Sequence, residues 1–320
     1  MRAVLIVNPT ATSTTPAGRD LLIHALESRL DLTVQQTDHR GHAVELAAAA
    51  ARDGVDVVIV HGGDGTVHGV VNGLLGAPGT VPPGRLPAVA VVPGGSANVF
   101  ARSLGIPADP IEATNLLIDL LSKRVQRRVG LIDCGERWAV FNAGMGVDGQ
   151  VVAAVEAQRA KGRKVTASRY TRVAVGAMLA SARRQPTLTL QLPGRDPIPG
   201  AHFVFVSNSS PWTYANDRPM VTNPDCRFET GLGVFAITSM KLIPNLRLVA
   251  QMFAKQPHVV AKHLIRDDDV ASLRVTWKGS GHSDHSDGIP SQIDGDYIGR
   301  RAEMTFRSVP DALSVVARPV

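Results

Sequence analysis

The 320-residue chain predicts an α/β fold: an N-terminal parallel-sheet domain followed by a second, mainly antiparallel β domain. Three observations support this. Over roughly the first 130 residues, apolar β-forming runs alternate with helix-periodic segments, the pattern of a parallel sheet covered by helices. Two of those runs end in glycine-rich turns that open helices. After Arg128, strand-like runs follow one another with long connections, as in antiparallel sheets. A hydrophobic content of 44% is enough to bury two cores.

In order, Ala3–Val7 reads as a strand, Asn8–Thr12 as a turn, Arg19–Arg29 as a helix and Leu32–Thr37 as a second strand. Alanine-rich His42–Arg52 is the next helix. Val57–Val60, a third strand, leads through glycines into a helix ending near Leu75. Ala88–Val92 is the fourth strand, followed by the turn Pro93–Asn98 and helices at Val99–Leu104 and Ile111–Leu121. Beyond Arg128, strands are expected at Leu131–Asp133, Trp138–Asn142, Thr187–Leu192, His202–Ser207, Gly233–Thr238 and Leu273–Trp277. One long helical interval, about Gln150–Arg184, lies among them. Ala302–Val309 is apolar at alternate positions and adds a strand; Gly194–Pro199 and Gly279–Pro290 read as surface loops.

A net charge of +6 and a pI near 9.7 favour an anionic partner. Aromatic content of 4% argues against a base-stacking platform, and no nucleic-acid motif is present, so nucleic acid is not the expected partner. Cys134 and Cys226 have no metal-type spacing and fit a reducing compartment, with a bridge between them as the open alternative. Met1–Asn8 is too soon broken by Pro9 for a signal peptide, and no apolar run nears the ~18 residues that cross a bilayer. The expectation is a cytoplasmic protein, soluble or at most peripheral at the inner membrane face.

The most informative stretch is Asp56–Thr66, four apolar β-formers running into Gly62-Gly63-Asp64-Gly65-Thr66. Such a strand exit bares backbone N–H groups that can cradle phosphate, and the following helix adds its positive end. Asp64 would repel bare phosphate, which points to a bridging Mg²⁺ or an acid–base role. The turn has neither a P-loop ending nor the dinucleotide fingerprint, and a plain tight strand–helix turn is the competing reading. A second turn, Gly94-Gly95-Ser96-Ala97-Asn98, follows another apolar strand, so one shared phosphate site on neighbouring strands is expected. Asn98 on its own reads as a helix cap.

Taken as an ordered set, these motifs resemble the diacylglycerol kinase catalytic-domain family, in its bacterial soluble lipid-kinase branch, with kinship to sphingosine kinases and NAD kinases. Asn8-Pro9 is similar to its opening nucleotide loop, and Thr37 with Gly41-His42-Ala43 to its threonine and Gly-His-Ala. Gly62–Thr66 matches its glycine signature, and Pro93–Arg102 its Pro-x-Gly-Thr-x-Asn-Asp-Phe-Ala-Arg. Asn142–Asp148 is like its Gly-Phe-Asp segment, and Gln292–Asp296 stands where it has Asp-Gly-Glu.

The resemblance implies a nucleotide-binding domain over 1–128, a β-sandwich-like lipid-substrate domain over 129–301, and a tail, 302–320, returning to the first. It implies transfer of the ATP γ-phosphate to a lipid hydroxyl with Mg²⁺, diacylglycerol to phosphatidic acid being the default. Asn8, Pro9, Thr10, Ala11 and Thr12 would hold the nucleotide, together with Thr37, the glycine signature (Gly62, Gly63, Asp64, Gly65, Thr66) and the second turn (Gly94, Gly95, Ser96, Asn98). Asp64 would act through Mg²⁺ or on the nucleophile, Asp294 as general base with Asp296 supporting it, and Asp148 in the substrate cleft. Read without the family, Asp294-Gly295-Asp296 is a hairpin turn.

The chain departs from the pattern at Ser96 for threonine, Val99 for aspartate and Asp296 for glutamate. Thr230 in Phe228–Gly233 replaces the aspartate of a second, structural Mg²⁺ site, with Glu229 beside it. Between Arg159 and Arg184, eight cations (Arg159, Lys161, Arg163, Lys164, Arg169, Arg172, Arg183, Arg184) share an acid-free interval with Val173, Val175, Met178 and Leu179. That interval suits either an anionic membrane surface or a solvated helix face. His282, Asp284, His285 and Asp287 read as a solvated loop rather than a metal site. Rival functions are a sphingoid-base or other lipid-alcohol kinase, an NAD kinase, and a non-catalytic nucleotide or lipid sensor; a homodimer is left open.

Overall fold

A computed structural model describes residues 1–80, 84–160, 187–215, 217–279 and 288–320. Most of the basic interval, from Lys161 to Arg184, and the loop of His282, Asp284, His285 and Asp287 lie outside the described residues. So do the side chains of Asp148 and Arg159. The chain divides into two compact units: Met1–Leu131 with Glu136–Val140 and Val309–Val320, and Ile132–Gly135 with Phe141–Ser308.

The first unit alternates strands and helices: β1 (Arg2–Val7), α1 (Pro16–Glu27), β2 (Asp31–Gln36), α2 (His42–Arg52), β3 (Val57–Gly62), α3 (Asp64–Leu75) and β4 (Ala88–Pro93). Then come α4 (Val99–Ser103), α5 (Pro110–Ser122), β5 (Arg127–Asp133) and β6 (Trp138–Ala139). Strands β2, β1, β3 and β4 pair in that order, all parallel. β3 and β4 are buried along their whole length, hence their unbroken apolar sequences; the edge strand β2 alternates. Helix α1 starts earlier than its periodicity predicts because Thr15 caps it, accepting from the Gly18 N–H, and Pro16 occupies the first turn. Asp109 and Pro110 do the same for α5.

Helices α2 and α3 pack through small residues. Ala43, Ala47 and Ala50 are buried on α2. A Cβ on Gly73 of α3 would stand 2.3 Å from the Val44 carbonyl oxygen and 2.9 Å from the Ala47 methyl.

The second unit contains β7 (Asn142–Met145), α6 (Val147–Ala160), β8 (Leu188–Gln191), β9 (Ile198–Ala201), β10 (Phe203–Ser207), β11 (Thr213–Ala215) and β12 (Arg218–Met220). It continues with β13 (Leu232–Ile237), α7 (Leu242–Met252), β14 (Leu264–Val270), β15 (Ser272–Trp277), β16 (Ile289–Ile293), β17 (Asp296–Arg301) and β18 (Glu303–Val315). One sheet runs β14-β13-β10-β7-β16-β17, every pair antiparallel. The first half of β18 pairs antiparallel with β15, followed by β8 and β9. An aromatic group, Phe203, Phe205, Phe235 and Trp212, fills the core with α7; the Phe205 and Trp212 rings stack at 4.6 Å.

Three expectations change, and the cysteine pairing left open is decided. Trp138–Asn142 is two strands rather than one, because the amides of Phe141 and Asn142 both turn to a carboxylate instead of a ladder partner. Residues Ile198 and Pro199, expected in a loop, start β9, an end strand where proline is tolerated. The tail strand runs on past Pro310 to Val315, through a left-handed Asp311. Cys134 and Cys226 are both free, and burial pushes the Cys226 thiol up to about 12.

Gly73→Ala is expected to destabilise the protein by about 1–3 kcal/mol, because the added methyl meets backbone that cannot yield. Urea unfolding followed by circular dichroism measures it; an unchanged midpoint contradicts this account of the α2–α3 contact.

Candidate functional site

Three loops at the carboxyl ends of β1, β3 and β4 are joined by hydrogen bonds, where open α/β sheets place their ligands. Asn8, leaving β1, donates its N–H to the His61 carbonyl (2.9 Å) and its Nδ2 to the Thr66 hydroxyl (3.2 Å). Its Oδ1 accepts from Thr10 N and Oγ1, folding Asn8–Thr12 into a tight turn. Ser13 ties this loop to the second glycine turn, donating its N–H to Gly94 (2.8 Å) and its hydroxyl to Gly95 (3.3 Å). The Thr14 hydroxyl is buried beside Gly94 with no hydrogen-bond partner. Sequence reasoning stopped at Thr12 and missed both; a run of small hydroxylated residues, Thr12 to Thr15, was the available signal.

The two glycine turns, expected to be neighbours, interlock. Gly94 donates its N–H to the Gly62 carbonyl at 2.8 Å. A Cβ on Gly95 would lie 2.6 Å from the Gly63 Cα, and one on Gly94 3.1 Å from the Gly62 Cα and 2.8 Å from the Thr14 hydroxyl. Asn98, in the left-handed region at φ 48°, does not cap α4. Its Oδ1 accepts from the Gly95 N–H (2.9 Å) and its Nδ2 donates to the Gly95 carbonyl (2.8 Å), stapling the turn. Ser96 is exposed at the tip, and Val99 is buried in apolar packing.

Asp64 is the first residue of α3, and Gly63 before it provides no side-chain cap. The helix therefore begins without a side-chain cap, its positive end at the mouth of the turn. Asp64 Oδ1 accepts from the Phe100 N–H at 3.2 Å, which fixes the carboxylate toward the second turn. A glycine-walled backbone cradle, an unpartnered hydroxyl at Thr14 and a carboxylate at a helix start suit a phosphate group accompanied by a divalent cation.

Thr37 follows β2 and donates its N–H to the Val7 carbonyl at 2.9 Å. Beyond it, Asp38 contacts His39 Nδ1 (2.5 Å) and His42 Nδ1 (2.6 Å), and His39 also reaches Glu45. The hydrogen bond to His39 holds the Asp38 carboxyl below its ordinary value, and the same bond raises His39.

In the second unit, Asp294 and Gly295 form a two-residue hairpin between β16 and β17, both at positive φ (49° and 80°). This is the type I′ pattern that Asp-Gly favours. Asp294 is nonetheless 5% exposed, and its Oδ1 accepts from the N–H groups of Phe141 and Asn142, each at 3.0 Å. Its own N–H donates to the Asn142 carbonyl at 2.8 Å. Gln292 completes the brace, donating to Asn142 Oδ1 (3.2 Å) and accepting from the Gly295 N–H (2.8 Å). A turn residue held this way is a positioned carboxylate as well as a hairpin corner. Asn142 and Gln292, buried on their strands together with Ser291, were the available sign of this brace. Asp296 begins β17, half-buried. The Thr230 hydroxyl closes its own loop, accepting from the Arg227 N–H and donating to the Arg227 carbonyl.

Residues 2–129 match the family model of the diacylglycerol kinase catalytic domain. A Chromohalobacter salexigens protein named "Probable lipid kinase YegS-like" is 36% identical over 110 residues, 34% of each chain. A Bacillus subtilis diacylglycerol kinase is 36% identical over 118 residues, 34% of this chain and 35% of the relative. The matched segments thus span about a third of the curated relatives' length. A diacylglycerol kinase crystal structure from Bacillus anthracis shares the fold over 99% of this chain and 97% of its own, at TM-score 0.71 and 19% identity.

Burial holds His61, at the end of β3, below the ordinary imidazole value of 6.5. The unfolded chain then protonates first, so its contribution to stability is complete above about pH 6.5 and is lost as pH falls below it. The expected result is a steeper loss of urea stability between pH 7.5 and 5.5 for wild type than for His61→Gln. Parallel pH profiles for the two proteins would contradict it.

Proposed function

We propose, on the premise that residues 2–129 belong to the diacylglycerol kinase catalytic-domain family, that this chain is an ATP- and Mg²⁺-dependent lipid kinase. It phosphorylates a lipid hydroxyl, with diacylglycerol the first candidate and phosphatidic acid the product, and works from the cytoplasm against an anionic membrane. The observation that supports it most is the interlocked pair of glycine turns with Asp64 at the uncapped start of α3.

Phosphoryl transfer asks a protein for positioning and charge stabilisation more than for covalent help. The N–H groups opening α3 and the walls of Gly62, Gly63, Gly94 and Gly95 bind phosphate oxygens without side-chain interference. Asn8 holds Thr66, and Asn98 holds the second turn, so the cradle is set before ligand arrives. Asp64 would hold Mg²⁺, which when bound would neutralise the phosphates and align them for in-line attack. Asp294 is the proposed base for the lipid hydroxyl. Its Oδ1 accepts from the N–H groups of Phe141 and Asn142, which fix the orientation of the carboxylate.

The test is transfer of ³²P from [γ-³²P]ATP to a panel of lipid alcohols in mixed micelles. Wild type is expected to label diacylglycerol or a related lipid alcohol. Asp64→Ala is expected to abolish detectable turnover, and Asp294→Asn to lower kcat by about 10²–10⁴. Label appearing only on NAD, or ATP binding with no turnover on any acceptor, would overturn the reading; full activity in Asp294→Asn would move the base to Asp64. Gly95→Ala should raise the Kd for ATP at least about tenfold, since its methyl displaces Gly63; isothermal titration calorimetry reads it.

A further inference from the structure

Helix α7 has two apolar faces and only one is covered. Leu248 and Met252 pack into the aromatic core with Phe205 and Trp212. Asn245, on the same side, donates to the Ser239 and Lys241 carbonyls and anchors the helix start. The other side exposes Leu242 (65%), Ile243 (63%) and Leu246 (60%), with Val249 beside them. With Val260 these are half of the ten large apolar side chains that the described residues expose. At helical spacing, Leu242, Leu246 and Val249 form one stripe, with Ile243 on its flank.

The sequence interval that carries this stripe has charge of one sign. From Thr230 to Arg266 there is no Asp or Glu, while Lys241, Arg247, Lys255, Lys262 and Arg266 all fall within it. The first four are exposed. A second copy of the chain docking here symmetrically would bring like charges together. The helix has 11 residues, and no described helix is long and apolar enough to cross a membrane. A short apolar stripe rimmed by cations has the chemistry of a helix lying in the plane of an anionic bilayer surface.

We infer that the outer face of α7 docks on anionic phospholipid. Leu242, Ile243, Leu246 and Val249 enter the acyl boundary, while Lys241, Arg247 and Lys255 meet lipid phosphates. The inference rests on the lipid-kinase reading for its purpose, because a lipid acceptor resides in such a surface; its observations come from α7 alone.

The test is co-sedimentation of the full chain, without ATP, on phosphatidylcholine vesicles with and without half phosphatidylglycerol. Wild type is expected to bind only the anionic vesicles. Leu242→Ser/Leu246→Ser should lower partitioning about a hundredfold, and Lys241→Glu/Arg247→Glu at least about tenfold. All these side chains are exposed, so both variants should keep the wild-type Tm and the wild-type rate on a short-chain diacylglycerol dispersed in detergent. Equal binding to neutral vesicles, or binding unchanged in both variants, overturns the inference. So does a wild-type dimer, seen by size exclusion, that the leucine variant splits without altering vesicle binding. Anionic binding that the variants abolish, in a protein that phosphorylates no lipid, sustains the docking face and removes the kinase reading.

Discussion

Two glycine turns press backbone against backbone at the carboxyl end of the parallel sheet, and the candidate site depends on that contact. Gly95 approaches Gly63 so closely that a single methyl would occupy the position of the neighbouring chain. The Gly94–Gly62 hydrogen bond then makes one rim of two loops, and Ser13 fastens a third. Absent side chains serve two ends here: they let the loops meet, and they leave the backbone open to close approach by a ligand. Stiffness follows from the first and anion affinity from the second, so selection for either supports the other.

Asp294 shows a different solution to positioning. A carboxylate at a hairpin corner ordinarily points into water, but this one is buried, and two amides hold one of its oxygens. The same amides are the reason the chain between β6 and β7 leaves its strand path. Local backbone irregularity and side-chain orientation are therefore one event: the kink frees the donors, and the carboxylate satisfies them. Removing the carboxylate strands two buried N–H groups, so structural and functional roles at this residue are entangled.

What the sequence disclosed follows physical lines. Strands β1, β3 and β4 were legible because parallel central strands are apolar throughout, and the helices of the first unit because their faces are periodic or capped. That the two glycine turns would be neighbours was legible from the apolar strands that run into them. Helix α7 was missed because its apolar residues spread well beyond the side that is buried, leaving only Arg247 and Gln251 to mark a polar side. Strand β14 was missed because Asp267, Asp268 and Asp269 interrupt it, a charge load that an end strand of a sheet accepts. Ser13 and Thr14 escaped notice, and the bracing role of Asn142 and Gln292 was not legible, because these roles are set by partners distant in sequence.

Strand β18 has a consequence for how the protein is made. Its final residues pair with β4 at Val89 and Val315, while its beginning belongs to the second unit. On a ribosome, the sheet of the first unit would emerge with β4 lacking that neighbour until the second unit and β18 had followed. Such a bare strand flank invites mispairing with other nascent chains. Closing the sheet therefore waits on a contact of very high sequence separation, which slows folding and makes the two units' acquisition of structure interdependent.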